Sequence, residues 1–371
     1  MKILVTGAKG FIGKNLIAEL YNRKYCDVYE YDIDSDISLL DQYTKDCDFV
    51  FHLAGVNRPQ NEDEFMQGNY GFTTVLLKKL KQHHNTAPVL ITSSIQAEQD
   101  NSYGKSKKAG EEALITYADE TGNKVLIYRL PNVFGKWCRP NYNSVVATFC
   151  NNVANDLEIK VNDPNVIMNL VYIDDVANEF IRALEGRENK SSTFCSVPVV
   201  YTTTLGRIVN LIYSFKNSRI DLSIPDLGDD FANKLYSTYL SYLPANSFSY
   251  PLKMNIDNRG SFTEFIKTLD RGQVSINVSK PGIAKGNHWH HTKNEKFLVV
   301  SGKGLIQFRK VGSMEVIDYH VSGDKLEVVD IPPGYTHNII NEGNTDLVTV
   351  MWANEPYRPE QPDTYFLKVS E

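Results

Sequence analysis

The sequence predicts a doubly wound parallel α/β sheet followed by a small all-β barrel. Three observations carry that reading. Short apolar runs alternate with helix-period segments through the first 185 residues, the pattern of strand–helix–strand units on a parallel sheet. After residue 252 the texture becomes short alternating segments separated by Gly, Asn or Pro, as in an antiparallel sandwich or barrel. Between the two, Pro244, Pro251 and the polar pair Asn246-Ser247 interrupt the helical pattern, which places a junction near 244–252. The expected domains are 1–245 and 252–371.

The first-domain strands fall at 3–5, 28–31, 49–53, 89–92 and 125–130, each apolar enough to be buried on both faces. Helices are expected at 13–20, 70–82, 105–120 and 175–185, with two more at 205–215 and 229–242. The second domain offers strands at 274–278, 296–300, 304–309, 316–321, 325–331 and 347–352. There is no internal repeat.

Composition bounds the function. The 371 residues are 42% hydrophobic and 23% charged, an ordinary globular balance. Lys and Arg total 39 against 45 for Asp and Glu, a net charge of −6. That argues against general nucleic-acid binding, which needs a basic surface. The five cysteines are scattered, odd in number and contain no CxxC pair. A disulfide framework or an all-Cys zinc site is therefore not expected, and reduced thiols in the cytoplasm are. No apolar run approaches the roughly 18 residues of a membrane span, and the apolar start is too short for a signal peptide.

Gly7, Gly10 and Gly13 follow the first strand directly. The first allows a tight turn, the second lets backbone approach a pyrophosphate, and the third lets helix and strand pack closely. The helix N-terminus, with Phe11 and Ile12, then faces the phosphates of a dinucleotide. Asp32 ends the second strand, 19 residues after Gly13. A carboxylate there holds the ribose 2′-hydroxyl and favours NAD, and no Arg or Lys follows closely to meet a 2′-phosphate.

Tyr103 and Lys107 stand four apart at the start of a helix, on one face. A nearby ammonium is expected to lower the phenol pKa and tune Tyr103 as a general acid for a carbonyl receiving hydride. Ser93 and Ser94 follow the fourth strand, where a hydroxyl can hydrogen-bond the same oxygen.

These pieces resemble the extended short-chain dehydrogenase/reductase family. The matching segments are 6–13, Phe51-His52-Leu53-Ala54-Gly55, Asn69-Tyr70-Gly71, Ser93-Ser94, Tyr103 with Lys107, 129–135 and 171–177, in family order. The resemblance implies a Rossmann-like fold and a nucleotide-linked sugar as substrate. It also implies Ser94, Tyr103 and Lys107 as the catalytic trio, Leu53, Ala54 and Gly55 along the cofactor, and Asn132 against the nucleotide sugar. One departure is visible: nine positions separate Ser94 from Tyr103, a link less than half as long as in most relatives.

A second constellation lies near the C-terminus. His288 and His290 are two apart, so on a strand they share a face; Glu295 follows, and His337 comes after the turn residue Gly334. Three imidazoles and a carboxylate suit one divalent metal, with Zn²⁺ the default and Fe, Ni, Mn or Cu also compatible. His291 and His320 fall outside the pattern. The two-part motif resembles the cupin family over about 252–371, with one glycine displaced: Leu326 stands where a glycine is expected, and Gly323 is three residues early. Segment 257–264 is similar to the opening of sugar-nucleotide 3,5-epimerases. Epimerisation beside a ketone needs an acid, a base and charge stabilisation of an enolate, which a metal or an arginine can supply. His290, His337 or Tyr335 are the acid/base candidates.

A reductase fused to a cupin resembles the bifunctional enzymes that make N-acetylfucosamine for capsular polysaccharide. That resemblance implies a UDP-linked 4-keto-6-deoxy-N-acetylhexosamine, epimerised at C3 by the cupin and reduced at C4 by the other domain. It implies NADPH in preference to NADH, against the simple reading of Asp32. A homodimer paired through cupin sheets is expected. Two other readings are a single-function reductase with a structural or dimerising cupin, and a non-catalytic cofactor sensor.

Overall fold

The computed structural model describes residues 1–268 and 270–370. The chain divides into two compact units. The first holds Met1–Tyr213 and Asp229–Pro244; the second holds Ser214–Gly228 and the chain from Ala245 onward.

The first unit is built on a six-stranded parallel sheet. Its strands are β1 (Ile3–Thr6), β2 (Val28–Tyr31), β3 (Phe49–His52), β4 (Val89–Ser94), β5 (Val125–Leu130) and, after β6 (Asn132–Phe134) and β7 (Ile167–Tyr172), β8 (Phe194–Cys195). The order is β2-β1-β3-β4-β5-β8. Successive residues of each strand feed opposite faces. Ile3, Val5, Phe49 and Phe51 join one core with Leu16, Leu20 and Phe180, whereas Leu4, Val50, Val89 and Ile91 join another with Leu76, Leu80 and Leu114. Helices on both faces explain why the strands are apolar throughout. The chain leaves β1 toward one edge and returns through β3 on its other side, so a crevice opens beyond the carboxyl ends of these two strands. A small second sheet, β6-β7-β9 with β9 at Tyr201–Thr204, stands on the same unit.

The helix expected at 70–82 begins earlier. It enters through Asp63–Phe65 and a π-helical turn, Met66–Gly71, before the regular span Phe72–Gln82. The helix bearing Tyr103 and Lys107 runs Ser102–Thr121, with the Asn101 side chain accepting from Gly104 N at 2.7 Å.

The second unit packs two antiparallel sheets face to face. One has the order β10-β11-β12-β19-β14-β17, from Met254–Asp257, Gly260–Thr268, Gly272–Ser279, Leu347–Ala353, Glu295–Ser301 and Val328–Ile331. The other has the order β16-β15-β18-β13-β20, from Val316–Ser322, Lys303–Lys310, Tyr335–Asn341, Ala284–Trp289 and Tyr365–Phe366. Phe297, Val299 and Leu347 from the first meet Ile306, Phe308 and Ile339 from the second, and this is the core. The sequence places 214–228 in the first domain. In the structure that stretch groups with the second unit, because Ile224 N donates to Lys267 O and Lys267 N to Leu222 O. The strand expected at 325–331 is shortened to Val328–Ile331, since Ser322 and Lys325 close a turn instead.

Among the described residues, no helix is long and apolar enough to cross a membrane. All five cysteines are free thiols, and four of them are buried.

Candidate functional sites

Among the described residues, each unit carries a candidate site. In the first, a cleft of about 880 Å³ opens beyond β1 and β3. Gly7, Gly10, Phe11, Ile12, Gly13, Asp32, Leu53, Gly55, Ser94, Tyr103, Lys107 and Asn132 all line it. Ala54, also expected along the cofactor, donates its backbone N–H to the Thr6 hydroxyl at 3.4 Å.

The glycine turn is built as the spacing requires. Gly7 has φ +70°, and a Cβ on Gly13 would lie 2.2 Å from Gly7 O, so no larger residue fits between helix and strand. The helix Phe11–Asn22 starts at Gly10 with no side-chain cap, which leaves its first N–H groups for a ligand's phosphates. Asp32 accepts from the backbone N–H groups of Lys9 (2.7 Å) and Ile33 (2.8 Å). It therefore ties the second strand to the glycine turn. The Lys9 ammonium pairs with Asp34 on the exposed rim beside it.

The trio converges. Ser93 donates to buried Glu111, whose carboxylate Arg129 clamps through Nε (2.9 Å) and Nη2 (2.7 Å), so Ser93 is committed to structure. Ser94 is the hydroxyl that acts on Tyr103. The short link from Ser94 to Tyr103 is a single 3₁₀ turn, Ile95–Glu98, capped by the Ser94 hydroxyl accepting from Gln96 N at 3.1 Å. Lys107 is buried; its Nζ donates to Thr92 O at 3.2 Å and lies 2.9 Å from where a Cβ on Gly55 would be.

One electrostatic expectation is corrected. The Tyr103 phenol is shifted up, not down: burial outweighs the Ser94 hydrogen bond, and the Lys107 ammonium is 5.8 Å from the ring centroid. Burial also pushes Lys107 down to about 8, with Glu111 opposing it.

Two contributors are not singled out by the sequence. Asn69, in the π-helical turn, bonds Val56 N and O and the Ser106 hydroxyl, fixing the loop after β3 against the helix that bears Tyr103 and Lys107. His52 bridges Thr6 (2.7 Å) and Thr73 (2.8 Å), and the Thr73 hydroxyl donates to Asn69 O. Thr73 therefore accepts from His52 Nε2–H, and Nδ1 accepts from Thr6. Burial keeps that imidazole neutral, its pKa pushed down to about 3.

In the second unit His288, His290, Glu295 and His337 bring four potential ligand atoms within 4.8 Å of one another. His288 lies on β13, directly opposite His337 on β18, and Glu295 opens β14. Gly334, at φ +78°, makes the turn into β18 and donates its N–H to His290 O at 3.0 Å. Nε2 of His290 and of His337 lie 3.3 and 3.4 Å from the same Glu295 oxygen. The buried His337 Nδ1 has no hydrogen-bond partner, and its Nε2 has only the long contact to Glu295. Orphaned imidazole nitrogens around a carboxylate held well below its usual range fit a divalent cation. Burial pushes His288 down to about 4, keeping it neutral as a ligand must be.

The same geometry bears on the acid/base candidates. His290 and His337 both point into the cluster, and His290 Nδ1 bonds Asp363 O. Arg259 is spent on Asp257 within the β10–β11 turn (2.6 Å). His291 packs between Trp289 and Tyr365, and His320 pairs with Glu342 on the surface. The displaced glycine is accounted for: Gly323 N donates to Gly302 O, and a Cβ on Gly323 would meet the Ser301 backbone at 2.7 Å, while Leu326 is exposed.

Two families match separate stretches of the chain. Residues 3–194 match the NAD dependent epimerase/dehydratase family, and residues 255–365 match the polysaccharide biosynthesis C-terminal domain. The chain is 44% identical to a UDP-2-acetamido-2,6-beta-L-arabino-hexul-4-ose reductase of Pseudomonas aeruginosa, over the whole of both chains. It is 58% identical to the crystal structure of the capsular polysaccharide assembling protein CapF of Staphylococcus aureus, covering all of both chains with a TM-score of 0.95. A structure of CapF with the inhibitor 3-isopropenyl-tropolone is 53% identical, again over both full chains, with a TM-score of 0.90.

Proposed function

The chain belongs to the NAD-dependent epimerase/dehydratase family, and from that premise we propose that it is a bifunctional UDP-sugar enzyme of capsular polysaccharide biosynthesis, on the route to N-acetyl-L-fucosamine. In this reading the second unit inverts C3 of a UDP-4-keto-6-deoxy-N-acetylhexosamine. The first unit then reduces the C4 ketone with NADPH, giving a UDP-N-acetyl-6-deoxy-L-talose-type product. The order follows from acidity, because the C3 proton is labile only while C4 is a ketone. Full-length similarity to a hexul-4-ose reductase and to CapF supports the assignment.

The observation that carries the reductase half is one cleft wall. Ser94, Tyr103 and Lys107 stand across from a glycine turn that has room for backbone and nothing larger. NADPH, when bound, supplies hydride to C4. The chain supplies the rest. The N–H groups of Phe11, Ile12 and Gly13 hold the pyrophosphate, and Leu53, Ala54 and Gly55 line the cofactor. The Tyr103 phenol, kept protonated by burial, delivers its proton to the C4 oxygen as charge develops there. Ser94 hydrogen-bonds that oxygen, and the Lys107 ammonium stabilises the phenolate left behind. Lys9 supports NADPH over NADH: it sets a cation beside Asp32, within reach of the ribose end of the cleft, and can exchange Asp34 for a 2′-phosphate.

A divalent metal, zinc by default, would be held by His288, His290, Glu295 and His337 and would supply Lewis-acid charge to an oxygen beside C3. Since His290 and His337 serve as ligands, the C3 proton falls to another group. Tyr335 is the remaining candidate: two residues before His337 on β18, it shares the inward face. A homodimer belongs to this reading, because β10 is an edge strand with Met254 and Ile256 exposed, an apolar edge that a second copy would cover. Five free thiols and the nicotinamide chemistry support a cytoplasmic setting.

The test is NADPH oxidation with the keto-sugar nucleotide. Tyr103→Phe should lose roughly 10²–10⁴-fold in reduction, the usual scale of general-acid catalysis. Unchanged turnover would remove Tyr103 from the mechanism, and no oxidation by the wild type would leave a sensor instead of a reductase.

A further inference from the structure

The last of the four candidate ligands is His337, yet the residue that holds the cluster together lies 26 positions later. Asp363 touches the metal cluster in two ways. Its carbonyl oxygen is 2.5 Å from His290 Nδ1. A carbonyl only accepts, so Nδ1 carries the hydrogen and Nε2 presents its lone pair to the cluster. Its carboxylate takes the backbone N–H groups of His291 (3.0 Å), Thr292 (2.9 Å) and Lys293 (2.8 Å). These bonds fix the turn that joins His290 to Glu295, and they hold the Asp363 carboxyl well below the usual range.

The segment after Asp363 is stitched to the strands that bear the other ligands. Phe366 and Tyr365 pair with His288 and Trp289 on β13. Leu367 N donates to Asn287 O (2.9 Å), and Val369 N donates to Asn287 Oδ1 (3.2 Å). The Thr336 hydroxyl, next to His337, donates to Leu367 O. Arg309 Nε donates to Val369 O at 2.7 Å, and Val369 itself is buried.

We infer that Asp363 is the positioning residue of the metal cluster, and that segment 363–369 is a strap whose docking sets the cluster's affinity. The inference rests on the reading of His288, His290, Glu295 and His337 as a metal site. A partner that fixes tautomer and ring orientation commonly changes metal affinity 10- to 100-fold. Linkage makes the effect mutual: whatever the docked strap adds to metal binding, the bound metal adds to strap docking.

The experiment uses the full chain stripped of metal. Zinc affinity is measured by competition with a chromophoric chelator, and Co²⁺ absorption reports ligand geometry. Asp363→Ala keeps the carbonyl but removes the carboxylate bonds that hold it against His290, so it should bind zinc about 10- to 100-fold more weakly and shift the Co²⁺ bands. Asp363→Asn, which keeps one accepting oxygen, should recover at least half of that loss on a logarithmic scale. Hydrogen exchange on the wild type needs no variant: the Leu367 and Val369 amides should slow when zinc is added. A merely structural Asp363 would lower the melting temperature and leave affinity, spectrum and zinc-dependent exchange unmoved, and that result overturns the inference. A wild type that binds neither zinc nor cobalt overturns the metal reading beneath it.

Discussion

In the first unit the reactive groups are placed by backbone. A glycine turn and an uncapped helix start shape the cofactor cradle in the crevice that Tyr103 lines. In the second unit they are placed by other side chains. Four candidate ligands, His288 on β13, His290 just after it, Glu295 on β14 and His337 on β18, come together, and a residue 26 positions beyond the last of them orients one. Backbone placement tolerates no added atoms, whereas side-chain placement tolerates change but depends on distant partners. The two sites should therefore fail in different ways.

The sharpest break is Gly13→Val. Even a Cβ would lie 2.2 Å from Gly7 O, so the helix must move away from the strand that supports it. Cofactor binding, followed by NADPH fluorescence, should fall at least about 100-fold, a loss on the scale of several oriented charge-assisted hydrogen bonds. Zinc affinity should not change. If it falls in parallel, the sites are not independent in the way this comparison requires.

Lys107→Met sharpens the comparison through stability. Burial pushes the Lys107 pKa down from 10.5 to about 8. Below pH 8 the ammonium is charged in both the folded and unfolded chain, and the folded one bears the desolvation penalty. Between about 8 and 10.5 the unfolded chain holds a proton that the folded chain has released, so wild-type stability rises with pH there. The variant should be more stable than wild type at pH 7 by a few kcal/mol, since each tenfold change in a proton equilibrium is worth about 1.4 kcal/mol. That advantage should shrink through pH 8–10.5 while reduction is lost at every pH. Denaturant melts at three pH values read this directly. A variant less stable at pH 7 would mean that the Thr92 hydrogen bond outweighs the buried charge.

Lys9→Ala is the mildest case, since Lys9 is exposed. NADPH affinity should weaken about tenfold with NADH barely altered, the scale of one exposed charge on phosphate. Equal losses for both cofactors would show that Lys9 only holds the turn.

The two sites also differ in how far the sequence exposes them. Glycine spacing, Tyr103 with Lys107, and His288-x-His290 are local patterns, and local geometry carries them into the structure unchanged. Choosing Ser94 over Ser93 requires the fold, because the difference is which hydroxyl Glu111 captures. The direction in which the Tyr103 pKa moves escapes the sequence for a similar reason: sequence gives proximity to a cation but not the burial that outweighs it. Asn69 and His52 lie inside recognised segments, yet their roles are contacts between distant elements. Asp363 carries no signal at all, since nothing near it in sequence marks a metal site. The grouping of 214–228 with the second unit depends on two hydrogen bonds to Lys267 that no helix pattern forecasts.

On the proposed division of labour, epimerisation belongs to the second unit and reduction to the first. The measurement is deuterium uptake at C3 of a UDP-4-keto-6-deoxy-N-acetylhexosamine in D₂O without reduced cofactor. Uptake should survive Tyr103→Phe and disappear with His290→Ala. Absence of uptake by an enzyme that still oxidises NADPH with the same sugar would contradict it, leaving a reductase whose second unit is structural.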